Sequence, residues 1–566
     1  MLTKLIGDNV RIFPIIAVDT EDDSNGTVTL IDFCFEDKGE ITHFTTKSLD
    51  EAREFIYRKR KQSIFVAHNL EYDIINLFRD ANYKHIRQMT YTSRLIAAKM
   101  VGLSHRWIDS FNFFPGTLKK MGETVGLEKG KLDPNSIDYV QMDTLILYTF
   151  MVMFQAKIND MDIELGSTIG KIAMSAFRKH HLAREYLPYN EEDSVSSYFG
   201  GRCELFWKGE ITGDIRNADV NSMYPDSMRK NFPDTNTMGK ITSLDTEFGF
   251  ADVTVSVPRD TFVPVLPVRL SGLTFPIGRI RGTWTVHEIR RAIEKGATLE
   301  KFHGGTGTNV SVRPFDSYID TYYALRLQSD TEFNKTLYKL LLNCLYGKFS
   351  QRNSYVECRN QIMTDEEEFE KEAKLVRVYG HLYFYEIPLL EPPPSANYAW
   401  GTYITAYSRL KLEGLLQEAH EKSDLLYCDT DSVLYRHTGT DLNFDFHKTR
   451  LGALKEDRFK YANFVMPKGY LLQDDENKWK VACKGVPLPR DFDKGLLGTV
   501  ENPQVRFMEG EKVFIQKPVR LRSSFASHTK ANVWSDISKQ SHQIYTRRKV
   551  DGVGPTKPID LSAIYS

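Results

Sequence analysis

Residues 427–432 read Tyr-Cys-Asp-Thr-Asp-Ser, and this short stretch decides how the rest of the chain is interpreted. Two carboxylates, Asp429 and Asp431, stand two residues apart between the apolar stretches 425–426 and 433–435. Pressing two like charges into the tip of an apolar hairpin costs free energy unless a positive group lies between them. A divalent metal ion is the simplest such group, so the remaining sequence has to supply further ligands and a reason for the metal.

The totals are those of an ordinary globular protein with several domains. The chain has 566 residues, of which 41% are hydrophobic and 26% charged, and its formal net charge of −1 does not by itself indicate a nucleic-acid partner. Six scattered cysteines with no Cys-x-x-Cys pair argue against a zinc site or a disulfide framework. The N-terminus reaches acidic residues too early for a signal peptide, and no apolar run is long enough for a membrane span, so no membrane partner is expected.

The first part of the chain alternates strand-like and helix-like stretches, which predicts an α/β domain with a mixed sheet. The predicted strands are RIFPIIAVD (11–19), TVTLIDFCF (27–35) and SIFVAH (63–68), and the predicted helices are SLDEAREFIYRKRK (48–61) and DYVQMDTLILYTFMVMF (138–154). From Glu185 onward, short strands, turns and isolated long helices dominate. Residues 240–312 and 353–396 are interpreted as insertions, and the acid run 365–368 as a solvated helix face.

Four acids in the first part indicate metal-dependent chemistry. Asp19 and Glu21 lie at a strand end and, two residues apart, point to one face. Asp73 follows the strand SIFVAH, and Asp143 shares a helix face with Tyr139, four residues before it. Any one of these acids alone is most simply a solvated loop residue. Together, in this order, they indicate hydrolysis of a phosphodiester by two metals, with Tyr139 orienting the attacking water.

A second set of acids accompanies the opening stretch. Asp219 ends a strand-like run, and residues 222–225 then turn the chain. If this run and residues 427–432 are neighbouring strands, Asp219 and Asp431 can hold two magnesium ions between them, with Asp429 as a supporting ligand. The like charges are then tolerated because metal and triphosphate lie over them.

A helix over residues 329–347 would supply the cations that a triphosphate needs. Ser329 and Glu332 resemble a capping box that opens it, and Gly347 can close it. One face presents Lys335, Lys339, Asn343 and Tyr346, and the opposite side carries Leu337, Leu340, Leu341 and Leu345. An ordinary amphipathic surface helix is the alternative, but beside the acid trio we interpret this helix as nucleotide-binding.

At this point the motifs resemble those of the family B DNA polymerases. DVNSMYP (219–225), KTLYKLLLNCLYGKF (335–349) and YCDTDS (427–432) are similar to its three polymerase motifs, and DTE (19–21), NLEYD (69–73) and YVQMD (139–143) to its three proofreading exonuclease motifs. The small size, YFGG (198–201) and KGY (468–470) resemble the protein-primed branch of phages and linear plasmids.

The resemblance implies a multidomain α/β and α+β fold. An RNase H-like exonuclease domain (1–175) would precede a right-hand polymerase domain (176–566). The polymerase domain would comprise a palm (190–240 and 397–475), fingers (316–350), a thumb (480–566) and insertions at 240–312 and 353–396.

The resemblance also implies residue roles. The metal ligands would be Asp19, Glu21, Asp73 and Asp143 in the exonuclease, and Asp219, Val220 and Asp431 in the polymerase, with Asp429 close by. The nucleotide-binding residues would be Lys335, Lys339, Asn343, Tyr346 and Tyr224, the last as a steric gate against ribose. The DNA-binding residues would be Asn69, Tyr198, Gly200, Gly201, Thr405, Arg409, Lys468 and Tyr470. Lys129 or its rival Lys131 would be a further catalytic lysine. Two departures from the family pattern are Cys344, where serine is usual, and Phe111, where leucine is usual.

The resemblance further implies cofactors and partners. We expect two Mg²⁺ ions per active site, with Mn²⁺ as a substitute, a DNA template-primer, dNTPs, and a terminal protein as primer for strand-displacing synthesis. A monomer in the cytoplasm of a host bacterium is expected. Residues 506–549 carry ten basic and three acidic residues, interleaved with Phe525, Trp534 and Tyr545, and suit a thumb that grips duplex phosphates.

Three alternatives stay open. The chain could be an exonuclease with a degenerate polymerase half, or a DNA-binding scaffold without activity. It could also be a polymerase that uses DNA primers, or none, without a terminal protein.

Overall fold

The structure is a computed structural model of the chain. It describes residues 10–23, 27–59, 61–78, 86–91, 95–100, 104–128, 133, 136–270, 272–359, 361–379, 382–389, 391–486, 488, 492–518, 534–540, 547–550 and 552–562.

A seven-stranded mixed sheet organises the first part of the chain, in the order β3-β2-β1-β4-β7-β6-β5. Its strands are β1 Ile15–Asp22, β2 Val28–Asp37, β3 Glu40–Thr46, β4 Ile64–Ala67, β5 Ile86–Tyr91, β6 Leu95–Met100 and β7 Arg106–Asp109. The helices of this part are α1 Leu49–Arg58, α2 Leu70–Phe78, α3 Leu118–Val125, α4 Ile137–Asp160 and α5 Ile169–Ala176. Strand β1 pairs antiparallel with β2 and parallel with β4, so the predicted mixed α/β sheet is confirmed.

The long helix α4 packs against β1 and β2 and buries residues on several sides, among them Val140, Ile146 and Phe150. Among the described residues, α4 is long and apolar enough to cross a membrane by length and composition alone, and half of its most apolar stretch is buried inside the protein. The expectation that the sequence contains no apolar run long enough for a membrane span is therefore corrected for α4. The apolar residues serve the core here, because the helix lies between the sheet and the second half of the chain.

The next part, up to residue 312, contains short elements and a four-stranded antiparallel sheet in the order β11-β16-β12-β15. Its elements are α6 Glu192–Ser196, β8 Cys203–Leu205, β9 Trp207–Val220, α7 Met223–Met228, β10 Phe232–Pro233, β11 Gly239–Ile241, β12 Phe248–Val257, β13 Val268–Arg269, β14 Leu273–Thr274, β15 Gly278–Thr285, α8 Val286–Glu294, β16 Thr298–Thr308 and β17 Ser311–Val312. Helix α8 lies inside the predicted first insertion, and the sequence analysis did not predict it. Thr285 caps it through the N–H of Glu288.

Residues 316–389 form four helices and a separate three-stranded sheet in the order β18-β20-β19. The elements are α9 Asp316–Gln328, α10 Glu332–Cys344, α11 Tyr346–Phe349, β18 Asn353–Arg359, α12 Asp365–Glu370, β19 Lys374–Tyr379 and β20 Leu382–Leu389. Helix α12 buries none of its residues, so the prediction of a solvated acid face is confirmed.

The predicted boundaries of the α10 helix are wrong at both ends. Thr331, not Ser329, is its N-cap and accepts the N–H of Asn334, whereas the Ser329 hydroxyl donates to the Leu325 carbonyl of the preceding helix. Gly347 does not close the helix, because it lies inside the next short helix, α11. The predicted leucine face is largely confirmed: Leu337, Leu341 and Leu345 are buried and Leu340 is half-buried, while Lys335 and Lys339 are exposed.

The last part returns to the sheet that β9 began. Its elements are α13 Tyr398–Lys422, β21 Asp424–Asp429, β22 Ser432–Arg436, β23 Leu454–Met466, β24 Gly469–Gln473, β25 Trp479–Cys483, α14 Pro503–Met508, β26 Lys512–Pro518, β27 Trp534–Gln540, β28 Arg548–Lys549, β29 Gly554–Pro555 and β30 Lys557–Pro558. Short 3-10 helices cover Ser110–Asn112, Thr235–Thr237 and Lys494–Leu496, and a π-helix covers Phe177–His181.

These strands build an eight-stranded sheet in the order β25-β24-β23-β9-β22-β21-β8, with β29 paired to β9. The range predicted for the thumb, 480–566, contains most of β25 and all of β29. That range therefore includes strands of the sheet that the predicted palm forms. The division into domains otherwise stays a prediction.

Candidate active sites

The hairpin β21–β22 presents the acids of the opening stretch. Its strands are buried on both sides of the tip, and Thr430 takes a positive φ of 60° so that the chain can reverse in a tight turn. The N–H of Asp431 donates to the carbonyl of Asp429, 2.6 Å away. A buried hairpin with a strained tip therefore fixes where both carboxylates lie.

Strand β9 brings the third acid to the same place, as the sequence predicted. Asp219 is directly opposite Ser432 in the antiparallel pair of β9 and β22, and the N–H of Val220 donates to the Asp431 carbonyl at 2.8 Å. The three acids line one cavity of about 280 Å³, together with Asn217, Thr430, Ser432, Leu434, Lys468, Tyr470, Leu472 and Lys480.

The acids repel one another in this cavity. Burial, and next the charges of Asp219 and Asp429, raise the pKa of Asp431 to about 6. Two lysines balance part of the charge: the Lys468 Nζ lies 3.0 Å from Asp429 Oδ2, and the Lys455 Nζ lies 3.0 Å from Asp219 Oδ1. Three converging carboxylates offer the oxygen ligands that hard divalent cations prefer, so the donor set fits Mg²⁺.

Tyr427 links the hairpin to the KGY segment. Its hydroxyl accepts the backbone N–H of Lys468 at 3.0 Å and lies 3.5 Å from Asp429 Oδ2. Lys468 itself has a positive φ of 59°, and the ring of Tyr470 lies 5.2 Å from that of Tyr427. Burial raises the pKa of Tyr427, which keeps the hydroxyl protonated as a donor to the carboxylate. The prediction of Lys468 and Tyr470 as site residues thus has a geometric basis beside the acids.

The nucleotide-binding candidates come together at helices α7, α10 and α11. The rings of Tyr224 and Tyr346 stack with centroids 4.0 Å apart and planes 20° apart. Helix α10 contacts α7, so the exposed Lys335 and Lys339 lie on the helix that also packs beside Tyr224. Asn343 is half-buried on the same helix.

The YFGG segment touches the tip of the acid hairpin. The carbonyl of Arg202 accepts the N–H of Thr430 at 2.7 Å, and a Cβ on Gly201 would lie 2.8 Å from the Thr430 Cγ2 atom. Only glycine therefore fits at residue 201 without moving the tip. Gly200 is exposed, and the half-buried Tyr198 packs edge-to-face on Tyr398 with ring centroids 6.1 Å apart.

A second acid cluster lies on the seven-stranded sheet, at β1 and α4. Carboxylate oxygens of Asp19, Glu21 and Asp143 all lie within 4.8 Å of one another, a spacing that can hold a metal ion. Tyr139 lies one turn before Asp143 and is half-buried, and Asn69 is exposed at the start of α2. Lys129 and Lys131, the two candidates for a catalytic lysine, lie outside the described residues.

Asp73, the fourth acid predicted as a metal ligand, is not among the three whose oxygens all lie within 4.8 Å of one another. It is buried on the first turn of α2 and accepts a hydrogen bond from the Thr20 hydroxyl at 2.9 Å. Thr20 lies between Asp19 and Glu21, so strand alternation turns it to the opposite face of β1. Burial first, and then the charges of Asp109 and Glu21, raise the pKa of Asp73 well above its usual value.

The comparisons with known proteins agree with this geometry. The family model of the organellar and viral DNA polymerases of type B matches residues 123–379. The DNA-directed DNA polymerase of Enterobacteria phage PRD1 is 29% identical over 436 residues, which are 73% of this chain and 74% of that protein. The chain is a DNA-directed DNA polymerase, similar to the organellar and viral polymerases of type B.

Two further matches support the assignment. A "Probable DNA polymerase" of Neurospora intermedia is 30% identical to this polymerase over 389 residues, covering 60% of this chain and 38% of that protein. The fold is that of phi29 DNA polymerase complexed with primer-template DNA and incoming nucleotide substrates, with a TM-score of 0.72 at 18% identity over 94% of this chain and 100% of that chain. The predicted fold class, an exonuclease followed by palm, fingers and thumb, is confirmed.

Two residues predicted to contact DNA have another role in this polymerase. Thr405 is 1% exposed and donates its hydroxyl to the Thr402 carbonyl, and Arg409 is 3% exposed. The Arg409 guanidinium donates twice to the buried Glu288 carboxylate, at 2.8 and 2.9 Å, and once to the Gly200 carbonyl at 3.1 Å. Both side chains are enclosed by protein in this structure, and a contact of either one with DNA stays a prediction.

Burial also limits which basic residues of the stretch 506–549 can grip duplex phosphates as the predicted thumb. Arg548, counted in the basic stretch, is 1% exposed, donates to the Thr556 hydroxyl at 2.8 Å and lies 4.0 Å from Glu204. Phe525 and Tyr545 lie outside the described residues, and the side chain of Trp534 is not described.

Sequence reasoning missed other residues of the sites. Lys455 carries no motif, and Glu288 belongs to a helix that was not predicted. Asp109 is buried and accepts the backbone N–H of Asn69 at 3.0 Å, which orders the turn before α2. A strand-end aspartate at residue 109 was a usable signal, of the same kind that identified Asp19.

Proposed function

We propose that this polymerase carries two separate active sites, one for metal-dependent DNA synthesis and one for 3′-5′ proofreading. The observation that carries the proposal is the presence of two acid clusters on two different sheets. Asp219, Asp429 and Asp431 line the cavity of the eight-stranded sheet, and Asp19, Glu21 and Asp143 converge on the seven-stranded sheet.

In the synthesis site, Asp219 and Asp431 would hold the metals. When bound, two divalent ions activate the primer 3′-oxygen and stabilise the leaving oxygen during transfer. The chain's own residues do the rest: Lys335 and Lys339 pair with the triphosphate of the incoming dNTP. The ring of Tyr224 forms the wall that a ribose 2′-hydroxyl would strike.

Lys468 and Tyr470 would hold the primer terminus beside the acids. The ammonium of Lys468 lies against Asp429, so it can also neutralise the charge of a primer phosphate at that edge of the cavity. Tyr427 keeps the Lys468 backbone fixed through the hydrogen bond to its hydroxyl.

In the proofreading site, Asp19, Glu21 and Asp143 would hold metal, and the buried Asp73 is the fourth acid that we propose as a ligand. Tyr139 would orient the attacking water, and Asn69 would contact the frayed strand. The hydrolysis removes the 3′-terminal nucleotide, with the water oxygen bonding to phosphorus as the bond to the 3′-oxygen of the preceding nucleotide breaks.

We further propose that synthesis begins on a terminal protein and displaces the non-template strand. Support comes from the YFGG and KGY segments, both of which contact the acid hairpin, and from the two inserted sheets at residues 239–308 and 353–389. At initiation a protein hydroxyl would replace the primer 3′-oxygen.

The experiment for proofreading uses a 5′-labelled primer with a mismatched 3′ end. With Mg²⁺ and no dNTPs, wild type and Asp431→Ala shorten the primer, and Glu21→Gln does not. With dNTPs, wild type removes the mismatch and extends. Equal shortening by Glu21→Gln would refute the assignment of the exonuclease acids.

The experiment for protein priming adds one labelled dNTP and an extract of the source organism to the enzyme, without DNA primer. A protein band that retains the label in denaturing gel, and that is lost with Asp431→Ala, supports terminal-protein priming. Absence of that band, while the same preparation extends DNA primers, would favour a polymerase that works without a terminal protein.

A further inference from the structure

Two lysines lie against the acid trio of the synthesis site, and only one of them belongs to a motif. Lys468 pairs with Asp429 from the KGY segment. Lys455 is on β23, directly opposite Asp219 of β9 in the antiparallel pair, and its Nζ lies 3.0 Å from Asp219 Oδ1. No motif of the sequence therefore explains why Lys455 lies beside Asp219.

An exposed ion pair is the simplest role for such a contact. Exposed pairs of this kind stabilise proteins by only about 0.2–1 kcal/mol, or about 1.4- to 5-fold in an equilibrium constant. The Lys455 side chain is 53% exposed and that of Asp219 is 26% exposed, so the contact adds little to the stability of the fold. Its importance lies in the partner, because Asp219 is the acid proposed to hold a metal.

The ammonium and a metal ion compete for the same carboxylate. A lone pair of Asp219 Oδ1 that accepts the Lys455 ammonium is not available to Mg²⁺, and the positive charge at 3.0 Å repels a divalent ion. Lys455 can withdraw easily, because its flexible four-carbon stem is half in solvent. Its neighbours on β23 do not take its place: Glu456 points to the other face and pairs with Arg458 at 2.7 Å.

We propose that Lys455 is a positioning residue that holds the Asp219 carboxylate in the metal-free enzyme and is displaced when divalent metal binds. The lysine lowers the mutual repulsion of the three acids between catalytic cycles. It also weakens the first metal-binding step, so that metal enters effectively only together with the triphosphate. The proposal rests on the proposed two-metal function of Asp219 and Asp431.

The test measures metal binding directly, without nucleotide or DNA. Mn²⁺ is titrated by electron paramagnetic resonance into enzyme that carries Asp19→Ala and Glu21→Ala, so that the exonuclease acids contribute no site. In this background Lys455→Met should bind Mn²⁺ about two- to fivefold more tightly, and the gain should shrink at high salt, which screens the competing charge. The Mg²⁺ concentration for half-maximal primer extension should fall by the same factor.

Three further variants make the outcome decisive. Lys460→Met removes a lysine from the same strand, away from the acids, and should leave Mn²⁺ affinity unchanged. Lys455→Arg keeps the charge and should bind Mn²⁺ as the parent does, which also controls for folding. Unchanged or weaker binding by Lys455→Met, or an equal gain in Lys460→Met, would overturn the proposal.

The last variant, Asp431→Ala, tests the acid trio as a metal site independently of the role of Lys455. Loss of Mn²⁺ binding in this variant supports the acid trio as the metal site whatever Lys455 does. Undiminished binding by Asp431→Ala would instead count against the proposed function itself.

Discussion

Replacing Asp431 by asparagine should stabilise the metal-free enzyme while abolishing synthesis. The pKa of Asp431 is raised from 3.8 to about 6, because burial and the charges of Asp219 and Asp429 disfavour its ionised form. Each unit corresponds to about 1.4 kcal/mol, so the ionised carboxylate costs the fold up to about 3 kcal/mol above pH 6. Asparagine has the same shape without the charge, and solvent at the cavity mouth reduces the expected gain to about 1–3 kcal/mol.

The pH dependence of this gain has a definite sign. A carboxyl group whose pKa is higher in the folded protein favours folding at low pH, and this contribution is lost as pH rises through the window between 3.8 and about 6. The stabilisation by Asp431→Asn should therefore be complete at pH 8, about half as large at pH 5, and absent below about pH 3, where Asp431 is protonated in both states.

Thermal unfolding in EDTA at pH 8 and pH 5 measures the effect. Asp431→Asn should raise the unfolding midpoint by a few degrees at pH 8 and by less at pH 5. Asp441→Asn, a change at an exposed acid beyond the hairpin, is the matched control and should leave it unchanged. Added Mg²⁺ should stabilise wild type more than Asp431→Asn. An unstabilised Asp431→Asn, or an equal gain in Asp441→Asn, would refute the electrostatic reasoning.

Three other changes follow from specific contacts. Gly201→Ala puts a Cβ 2.8 Å from the Thr430 side chain, so primer extension should fall about tenfold or more. Primer degradation, measured on single-stranded DNA, should be retained. An equal loss of both activities would contradict an effect confined to the acid hairpin. Phe333→Ala removes an edge-to-face contact between α10 and Phe150 of α4, which is worth about 0.5–1.5 kcal/mol. The ratio of primer degradation to primer extension should therefore change several-fold. An unchanged ratio would show that this contact does not couple the two activities. Tyr224→Val should let ribonucleotides be incorporated, which alkali treatment of the products reveals as strand breaks. Products that stay intact in alkali would refute the role of Tyr224 as a steric gate against ribose.

The acids were predictable because metal ligands leave a local signature. Asp19 and Glu21 on one strand face, and Asp429 and Asp431 at an apolar hairpin, are unfavourable placements unless a cation compensates them. The order of these motifs along the chain then predicted the fold, because each motif lies at the end of a recognisable strand or helix.

The residues that were misjudged depend on partners far away in sequence. The pattern around Arg409 cannot reveal that Glu288, 121 residues earlier, encloses its guanidinium. Lys455 has no motif, and only the pairing of β23 with β9 brings it to Asp219. The cap at Thr331 rather than Ser329 was decided by the end of the preceding helix, which a single-helix pattern does not show.

Extension of a labelled primer on a long single-stranded DNA circle with Mg²⁺ tests the central claim most directly. Wild type should make products longer than the circle, and Asp431→Ala none. The double variant Asp19→Ala with Glu21→Ala should extend fully but not degrade the primer. If Asp431→Ala extends as wild type does, or if the double variant loses extension and degradation together, the account of two independent acid sites is contradicted.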